Sequence, residues 1–344
     1  SVNIDLQKEI LPPLVTNSGG GGGGGTTDPE ETPLIVIEIN GIEISFYDKD
    51  NDGIIDEYSY SDEWGVIVGN VSEGWNYDIS DIGSVMEGYD SGQWDSPEDY
   101  LDAYEEINSN VNQTSVNEPC SQTDQTSGST ATTTFANVKL MVNQFTPLSP
   151  ANTGQHEQYF LINNNSATPI QTLGQNGGLP QGINSTTTVM VHTHPAGLGD
   201  PSPSLFDLYA LDDIGSQFQA SYVVAYDGTK YAMIVNDYSA LQTFIDSNPD
   251  LYDLNSGGIN TQNAWGWAYA SAVVSFTEQG MNTAEANERA RSYIMELAGV
   301  TLVKAPAGSD IFSKIGATPK TDTNGNVIVD PNGIIEFKIS DCPR

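Results

Sequence analysis

A short segment behind an apolar run carries side chains that bind transition metals. His192 and His194 are two of only three histidines in the 344-residue chain, and they directly follow the strand-like stretch TTVMV. Residues at i and i+2 of a β-strand point to the same face, so the two imidazoles are predicted to emerge together at a strand end. Pro195 cannot continue the ladder and turns the chain there. Two neutral imidazoles on one face supply half of a zinc site.

The third ligand of this site is predicted to be Asp207. A catalytic zinc ion commonly takes three protein ligands and keeps one position open for water or substrate. Asp207 follows a Gly/Pro-rich loop and lies at the start of the apolar-periodic stretch LFDLYALDDI, so the beginning of a helix would turn its carboxylate back towards the histidines. His156, the third histidine, is predicted to be a structural or surface residue.

Together these residues resemble the signature of the JAMM (MPN+) zinc metallopeptidases, the Mov34/RadC-like JAB group. That signature reads His-x-His-Pro, then a Gly/Pro-rich loop, then Ser-x-x-Asp, and the stretch DPSPSLFD from Asp200 to Asp207 is most similar to the RadC-type members. The loop from Ala196 to Pro203 has eight residues where the family usually has six, which we interpret as an insertion. The resemblance covers about residues 135–250.

The resemblance implies a fold and a role for each motif residue. The fold would be α/β (α+β), a cytidine-deaminase-like mixed sheet flanked by helices. His192, His194 and Asp207 would hold zinc, and Glu157, on the upstream stretch GQHEQYFLINNN, would be the general base towards a zinc-activated water. Ser204 would stabilise the oxyanion. The expected substrate is a protein or peptide, cut at a peptide or isopeptide bond.

A second motif, DKDNDGIIDEY, indicates a calcium loop near the front of the chain. Oxygen ligands at alternating positions around a glycine turn are typical of calcium sites, and the motif resembles the loops of EF-hands and thrombospondin-type repeats. Position 12 is Ser59 rather than Glu, and strand-like stretches flank the loop, so we expect a structural calcium site within a hairpin, with a solvated acidic turn as the alternative. The expected ligands are the side chains of Asp48, Asp50, Asp52 and Asp56 and the carbonyl of Ile54.

Composition divides the chain into four predicted segments. Residues 1–33 contain a run of seven glycines and are expected to form a flexible tether, since glycine loses most entropy on ordering. Such a tether suits a module held away from a membrane or a larger assembly; an ordinary interdomain spacer is the alternative. Residues 34–110 are expected to form a small acidic β-rich domain, and residues 111–134 a Ser/Thr-rich linker. Residues 135–344 would form the JAMM-like domain, with C-terminal helices and a hairpin.

Charge and cysteine content point to a setting outside the cytoplasm. The 46 acidic and 11 basic residues give a formal charge of −35, which repels nucleic acids and anionic lipid surfaces, so no nucleic-acid partner is expected. No apolar run approaches the roughly 18 residues of a membrane span. Cys120 and Cys342 either pair in an exported protein or remain two free thiols. The expected location is the cell surface, the periplasm or the medium, and a lipid anchor is one option because the chain begins at Ser1 rather than at a methionine.

Three functions follow from these features. The first is an exported JAMM-like zinc hydrolase. The second is a non-catalytic accessory or binding subunit of a bacterial cell-surface or secretion assembly, which meets its partner through the N-terminal region. The third is a toxin-type effector domain.

Overall fold

A computed structural model describes most of the chain from residue 35 onwards. Its residues fall into two compact units, one within 1–105 and 329–333, the other within 106–328 and 334–344. The described ranges are 35–39, 42–47, 57–62, 65–70, 94, 97–113, 120–152, 154–173, 180–196, 200–211, 214–252 and 258–342.

The first unit contains an antiparallel sheet of four strands in sequence order. They are β1 (Ile35–Ile39), β2 (Ile42–Tyr47), β3 (Glu57–Asp62) and β4 (Gly65–Asn70). Ile39 pairs with Ile42, which leaves Asn-Gly as the two-residue connection that favours a tight hairpin. Strands β2 and β3 pair up to Tyr47 and Glu57, on either side of the predicted calcium loop. The five predicted calcium ligands, Asp48, Asp50, Asp52, Ile54 and Asp56, lie outside the described residues.

Helix α1 (Pro97–Gln113) begins at the proline that the sequence places in the first helical position. Proline is favoured there because the first helical N–H groups have no partner within the helix. The helix buries Tyr100, Leu101 and Tyr104.

The second unit is built on an eight-stranded mixed sheet. The strand order is β12-β11-β10-β9-β8-β5-β6, with β7 also paired to β5, and only the β8–β9 pair is parallel among the described strands. This confirms the coarse prediction of a mixed α/β sheet flanked by helices. The strands are β5 (Gln158–Asn163), β6 (Ser166–Ala167), β7 (Gln171–Thr172), β8 (Thr187–His194), β9 (Ala220–Ala225), β10 (Lys230–Val235), β11 (Val300–Ala305) and β12 (Ser313–Lys314).

Helices cover both faces of this sheet. They are α2 (Gln122–Val142), α3 (Leu205–Tyr209), α4 (Tyr238–Ser247), α5 (Ala264–Glu278) and α6 (Thr283–Leu297). One face packs its alternate apolar side chains, such as Val191 and Tyr222, against Phe135 of α2. The opposite face carries His192 and His194. Within the described part of the chain, no helix combines the length and the apolar character that crossing a membrane requires.

Helix α6 packs on the face that carries the histidines. It begins after the N-cap Asn282 and is followed by Gly299 at φ +69°, the conformation for which glycine is favoured. Its Glu288 accepts hydrogen bonds from Tyr231 of β10 (2.7 Å) and Lys304 of β11 (2.8 Å). Both residues lie in register with the row of side chains that includes His192.

The prediction of a linker at 111–134 is wrong over most of its length. Residues 111–113 complete α1, and α2 begins at Gln122 behind the N-cap Ser121, whose hydroxyl accepts from Asp124 N. The Ser/Thr-rich composition is compatible with a helix because the hydroxyls bond back to carbonyls one turn earlier. Such bonds run from Thr126 to Gln122 (2.8 Å), Ser127 to Thr123 (2.9 Å) and Thr132 to Gly128 (2.9 Å).

Small residues in α2 also let the helix approach the sheet closely. A Cβ on Gly128 would lie 3.0 Å from the carbonyl oxygen of Phe312, so a larger residue there would displace the neighbouring backbone. Tyr222 of β9 donates to the carbonyl of Ala131 at 2.8 Å. The helix therefore belongs to the second unit, which starts well before residue 135.

The C-terminal segment closes the second unit. Strand β13 (Ala317–Pro319) pairs with β14 (Phe337–Ile339), so the last strand of the predicted hairpin finds its partner upstream of the turn sequence DTNGN. A disulfide joins Cys120 to Cys342 with 5.2 Å between the Cα atoms. This confirms the pairing rather than two free thiols, and it ties the start of α2 to the chain end.

Candidate metal centre

Three of the four residues at the candidate site, His192, His194 and Glu157, lie on or directly beside two neighbouring strands. His192 and His194 lie at the carboxyl end of β8 and share a face, and β5 runs antiparallel beside it with Tyr159 opposite His192. Continuing that register brings Glu157, just before β5, next to His194, and its Oε1 lies 3.7 Å from His194 Nε2. The hydroxyl of Thr193 accepts from the backbone N–H of Gln158 at 2.9 Å and fixes this junction.

The fourth residue of the site, Asp207, lies in the first turn of the short helix α3. Ser204 is the N-cap of that helix, and its hydroxyl accepts from Asp207 N at 3.2 Å. In return, Asp207 Oδ2 accepts from Ser204 N at 2.7 Å and from Ser204 Oγ at 2.8 Å. This reciprocal capping box satisfies free N–H groups at the helix start. It also holds the carboxylate with Oδ2 at the cap, 3.7 Å from His194 Nε2, and with Oδ1 towards His192.

The spacing of the three donor groups fits a small tetrahedral ion. His192 Nε2 lies 3.3 Å from His194 Nε2 and 3.0 Å from Asp207 Oδ1, and His194 Nε2 lies 3.7 Å from Asp207 Oδ2. A tetrahedral zinc with bonds of about 2.0–2.1 Å separates its ligand atoms by roughly 3.3 Å. Of all the histidines, cysteines and acids that the structure describes, these three residues form the group able to hold a metal ion.

All four residues are buried, and the histidines leave one nitrogen each without a hydrogen-bond partner. The exposed fraction is 5% for Glu157 and His194, 3% for His192 and 9% for Asp207. The Nδ1 atoms of both histidines have no partner among the described residues. Metal-binding histidines commonly donate this second N–H to an oxygen acceptor. The two rings here are instead held by burial and by their Nε2 contacts.

Burial and mutual charge shift the pKa values of the group in different directions. Burial raises the pKa of Glu157 to about 7 and lowers that of His194 to about 4. Burial also opposes protonation of His192, but the Asp207 carboxylate outweighs it and raises the pKa of that imidazole. Burial alone would raise the pKa of Asp207, yet the two imidazoles and the Ser204 N–H hold it well below its ordinary value. Within the group, His192 and Asp207 form a charge-assisted pair.

Four of the five predicted site residues lie together, and the fifth lies beside them. His192, His194, Asp207 and Glu157 converge as expected. Ser204 is next to them, and its hydroxyl donates to Asp207 Oδ2 at 2.8 Å. Its role as an oxyanion donor stays a prediction. His156 is exposed, and its Nδ1 lies 3.2 Å from the carbonyl oxygen of Leu173.

Sequence reasoning missed Arg291, Asp200 and Ser202. Arg291 contacts Asp200 and Ser202 of the loop that leads to Asp207, although it lies about 90 residues further along the chain. One signal was present in the sequence, since two of the 11 basic residues, Arg289 and Arg291, lie in the middle of the stretch that forms α6.

Comparisons of the chain with models of known families, with curated proteins and with solved structures found no match. The resemblance to JAMM metallopeptidases therefore rests on the motif residues alone.

Proposed function

We propose that this protein is a zinc-dependent hydrolase of the JAMM type that cuts a peptide or isopeptide bond in a protein or peptide. The observation that carries the proposal is the spacing of His192 Nε2, His194 Nε2 and the Asp207 carboxylate at 3.0–3.7 Å. Two imidazoles and one carboxylate are a donor set of catalytic zinc sites. The finer fold assignment, a cytidine-deaminase-like sheet, belongs to the same proposal.

A bound zinc ion would supply Lewis acidity, which lowers the pKa of a water ligand towards about 7 and polarises a carbonyl. The protein's own residues would do the rest. His192, His194 and Asp207 would hold the ion. Glu157, whose Oε1 lies 3.7 Å from His194 Nε2, would accept a proton from the attacking water. It would return that proton to the leaving nitrogen as the carbon–nitrogen bond breaks, so that water is added across the amide.

The disulfide supports the proposed extracytoplasmic location. Disulfides persist in oxidising compartments and are rare where thiols are kept reduced. The Cys120–Cys342 bond is the pairing expected of an exported chain. Together with the formal charge of −35, it favours exported proteins or cell-wall peptides as the substrate over nucleic acids.

Metal analysis and a hydrolysis assay test the proposal together. The purified chain should contain about one zinc ion at the site and should cleave members of a peptide and isopeptide library. Glu157→Gln should keep the metal and lose cleavage, because the amide has the same shape but cannot accept the proton. His194→Ala should lose both. Cleavage that survives unchanged in Glu157→Gln would show that the general base is wrong.

His156→Ala is the matched control. It removes a histidine from the same stretch of chain, but that histidine is exposed and outside the group. Both the zinc content and the hydrolysis of this variant should equal those of the unmodified chain. If the chain binds zinc and cuts nothing in the library, the non-catalytic binding subunit becomes the better function; if it binds no zinc, the hydrolase proposal fails.

A further inference from the structure

Arg291 of α6 contacts the loop that leads to the candidate metal site. Its Nη1 donates to Asp200 Oδ2 at 2.6 Å and to Ser202 Oγ at 2.8 Å. The Arg291 side chain is only 14% exposed, and Ser202 is 1% exposed. A cation buried this far needs partners of this kind, because an unpaired one is strongly unfavourable.

The contacted residues are themselves locked to each other. Asp200 Oδ1 accepts from both the backbone N–H and the hydroxyl of Ser202, each at 2.9 Å. Arg291 therefore binds a turn whose two side chains are already hydrogen-bonded to each other, not a single unrestrained side chain. A planar guanidinium suits this task, since it offers several donors in a fixed fork, whereas a lysine ammonium is a point charge.

This turn connects to Asp207 through a stretch with little freedom. Pro201 and Pro203 alternate with Ser202 and Ser204, and each proline ring fixes its own φ near −65°. The capping box then joins Ser204 to Asp207. The place of Asp207 is therefore tied to the turn that Arg291 contacts.

We propose that Arg291 is a positioning residue of the metal site, which places the Asp207 carboxylate by clamping Asp200 and Ser202 onto α6. The inference rests on the proposed function, because it needs a metal to bind at His192, His194 and Asp207. It goes beyond the motif, since α6 lies outside the part of the chain that carries the JAMM resemblance. Arg291 itself touches neither the donor atoms nor a substrate.

The experiment compares Arg291→Met with Arg289→Met in the full chain. Arg289 is the matched control: it lies on the same helix, binds Asp341 through two hydrogen bonds of 2.7 and 2.9 Å and donates to Gly316 O at 3.1 Å, away from the site. Both variants lose a partly buried ion pair. Zinc affinity is measured by competition with a chelator, and the coordination of bound cobalt by its visible spectrum. Thermal unfolding reports the stability of each variant.

Arg291→Met should weaken zinc binding about 10-fold or more, the size typical of residues that orient metal ligands, and should change the cobalt spectrum. Arg289→Met should lower the melting temperature and leave both metal readouts unchanged. Arg291→Lys, which restores the charge without the fork, should recover only part of the affinity. Equal zinc affinity and an equal cobalt spectrum in the two methionine variants would overturn the inference while leaving the hydrolase proposal intact.

A second variant guards against misfolding caused by an unpaired Asp200. Asp200→Asn combined with Arg291→Met removes both charges, so no uncompensated carboxylate remains near α6. It should show the same loss of zinc affinity, together with faster amide hydrogen exchange in residues 200–207. Unchanged exchange and affinity in this variant would also refute the positioning role. If the unmodified chain binds no zinc, the inference and the proposed function fail together.

Discussion

Replacing Ser204 by alanine separates two roles that the same hydroxyl could have. The JAMM resemblance gives Ser204 a part in stabilising the oxyanion, whereas the structure has its hydroxyl donating to Asp207 Oδ2 at 2.8 Å and accepting from Asp207 N at 3.2 Å. We expect the second role to dominate. Ser204→Ala should then weaken metal binding, because the carboxylate loses one of the donors that orient it.

The size of the expected loss in zinc affinity depends on which hydrogen bonds to Asp207 remain in Ser204→Ala. The backbone N–H of Ser204 still reaches Asp207 Oδ2 at 2.7 Å, so one of the two hydrogen bonds to that oxygen remains. Loss of the cap costs about 1 kcal/mol of stability. Loss of a hydrogen bond to a charged group is worth roughly 1.5–3 kcal/mol. If half of this loss, about 0.8–1.5 kcal/mol, falls on the metal-bound state, zinc affinity drops roughly 4- to 13-fold, since tenfold corresponds to about 1.4 kcal/mol.

The assay needs a variant that loses the same kind of cap without touching the site. Ser121→Ala is suitable, because Ser121 and Asp124 form the same Ser-x-x-Asp capping box at the start of α2. Both variants should melt at lower temperature. Only Ser204→Ala should lose zinc affinity in a chelator competition. Unchanged affinity with a reduced kcat would refute this reasoning and restore Ser204 as an oxyanion donor.

Four further outcomes are expected from the charges, cysteines and metals. Removing zinc with a chelator should destabilise the fold by about 2.7 kcal/mol relative to zinc at 100 times its Kd, seen as a lower melting temperature; no shift would argue against a bound ion. Reducing the Cys120–Cys342 bond, which spans 222 residues, should cost up to about 5 kcal/mol in the chain-entropy model, and a melting temperature equal to that of the oxidised chain would contradict it. Calcium at millimolar concentration should bind the chain in calorimetry and should fail to bind the Asp50→Asn, Asp52→Asn double variant. Equal heats of binding for both proteins would refute the prediction of a calcium site in this loop. Raising sodium chloride from 10 mM to 1 M should raise the melting temperature, because screening weakens repulsion in a chain of charge −35; a fall would show that attractive ion pairs dominate.

The candidate metal ligands were predictable because local rules fix their directions. Strand alternation puts His192 and His194 on one face, whatever the rest of the fold does. The Ser-x-x-Asp spacing predicts a helix start at Asp207, and the structure has one, although α3 ends after Tyr209 where the periodic pattern continues to Ile214. Glu157 needed more than local rules, since the antiparallel pairing of β5 with β8 brings it to His194. Here the family resemblance supplied what the residues could not.

The error at α2 shows where composition misleads. A stretch rich in Ser, Thr and Gly has low helix propensity, and in isolation it favours a linker. Tertiary packing reverses that preference: Gly128 and Ala131 permit a close approach to the sheet, and Phe135 packs in the core. No window of sequence around α2 shows that it packs against β9, whose Tyr222 bonds to Ala131 from 91 residues further along the chain. The contacts of Arg291 were hidden for the same reason, since its partners lie about 90 residues away.

The distribution of buried charge supplies an independent argument for a cation at the site. Among the described residues, each buried carboxylate outside the candidate metal site forms an ion pair with a lysine. Asp124 lies 3.1 Å from Lys314, and Glu288 lies 2.8 Å from Lys304. The two at the site, Glu157 and Asp207, pair in the described part of the chain only with histidines. A buried carboxylate is costly without a compensating charge, and of the two imidazoles only His192 has a raised pKa, so at most one of the two carboxylates is balanced by a histidine. In a chain with so few cations, two acids are thus buried where a divalent ion, rather than a lysine or arginine, would balance them.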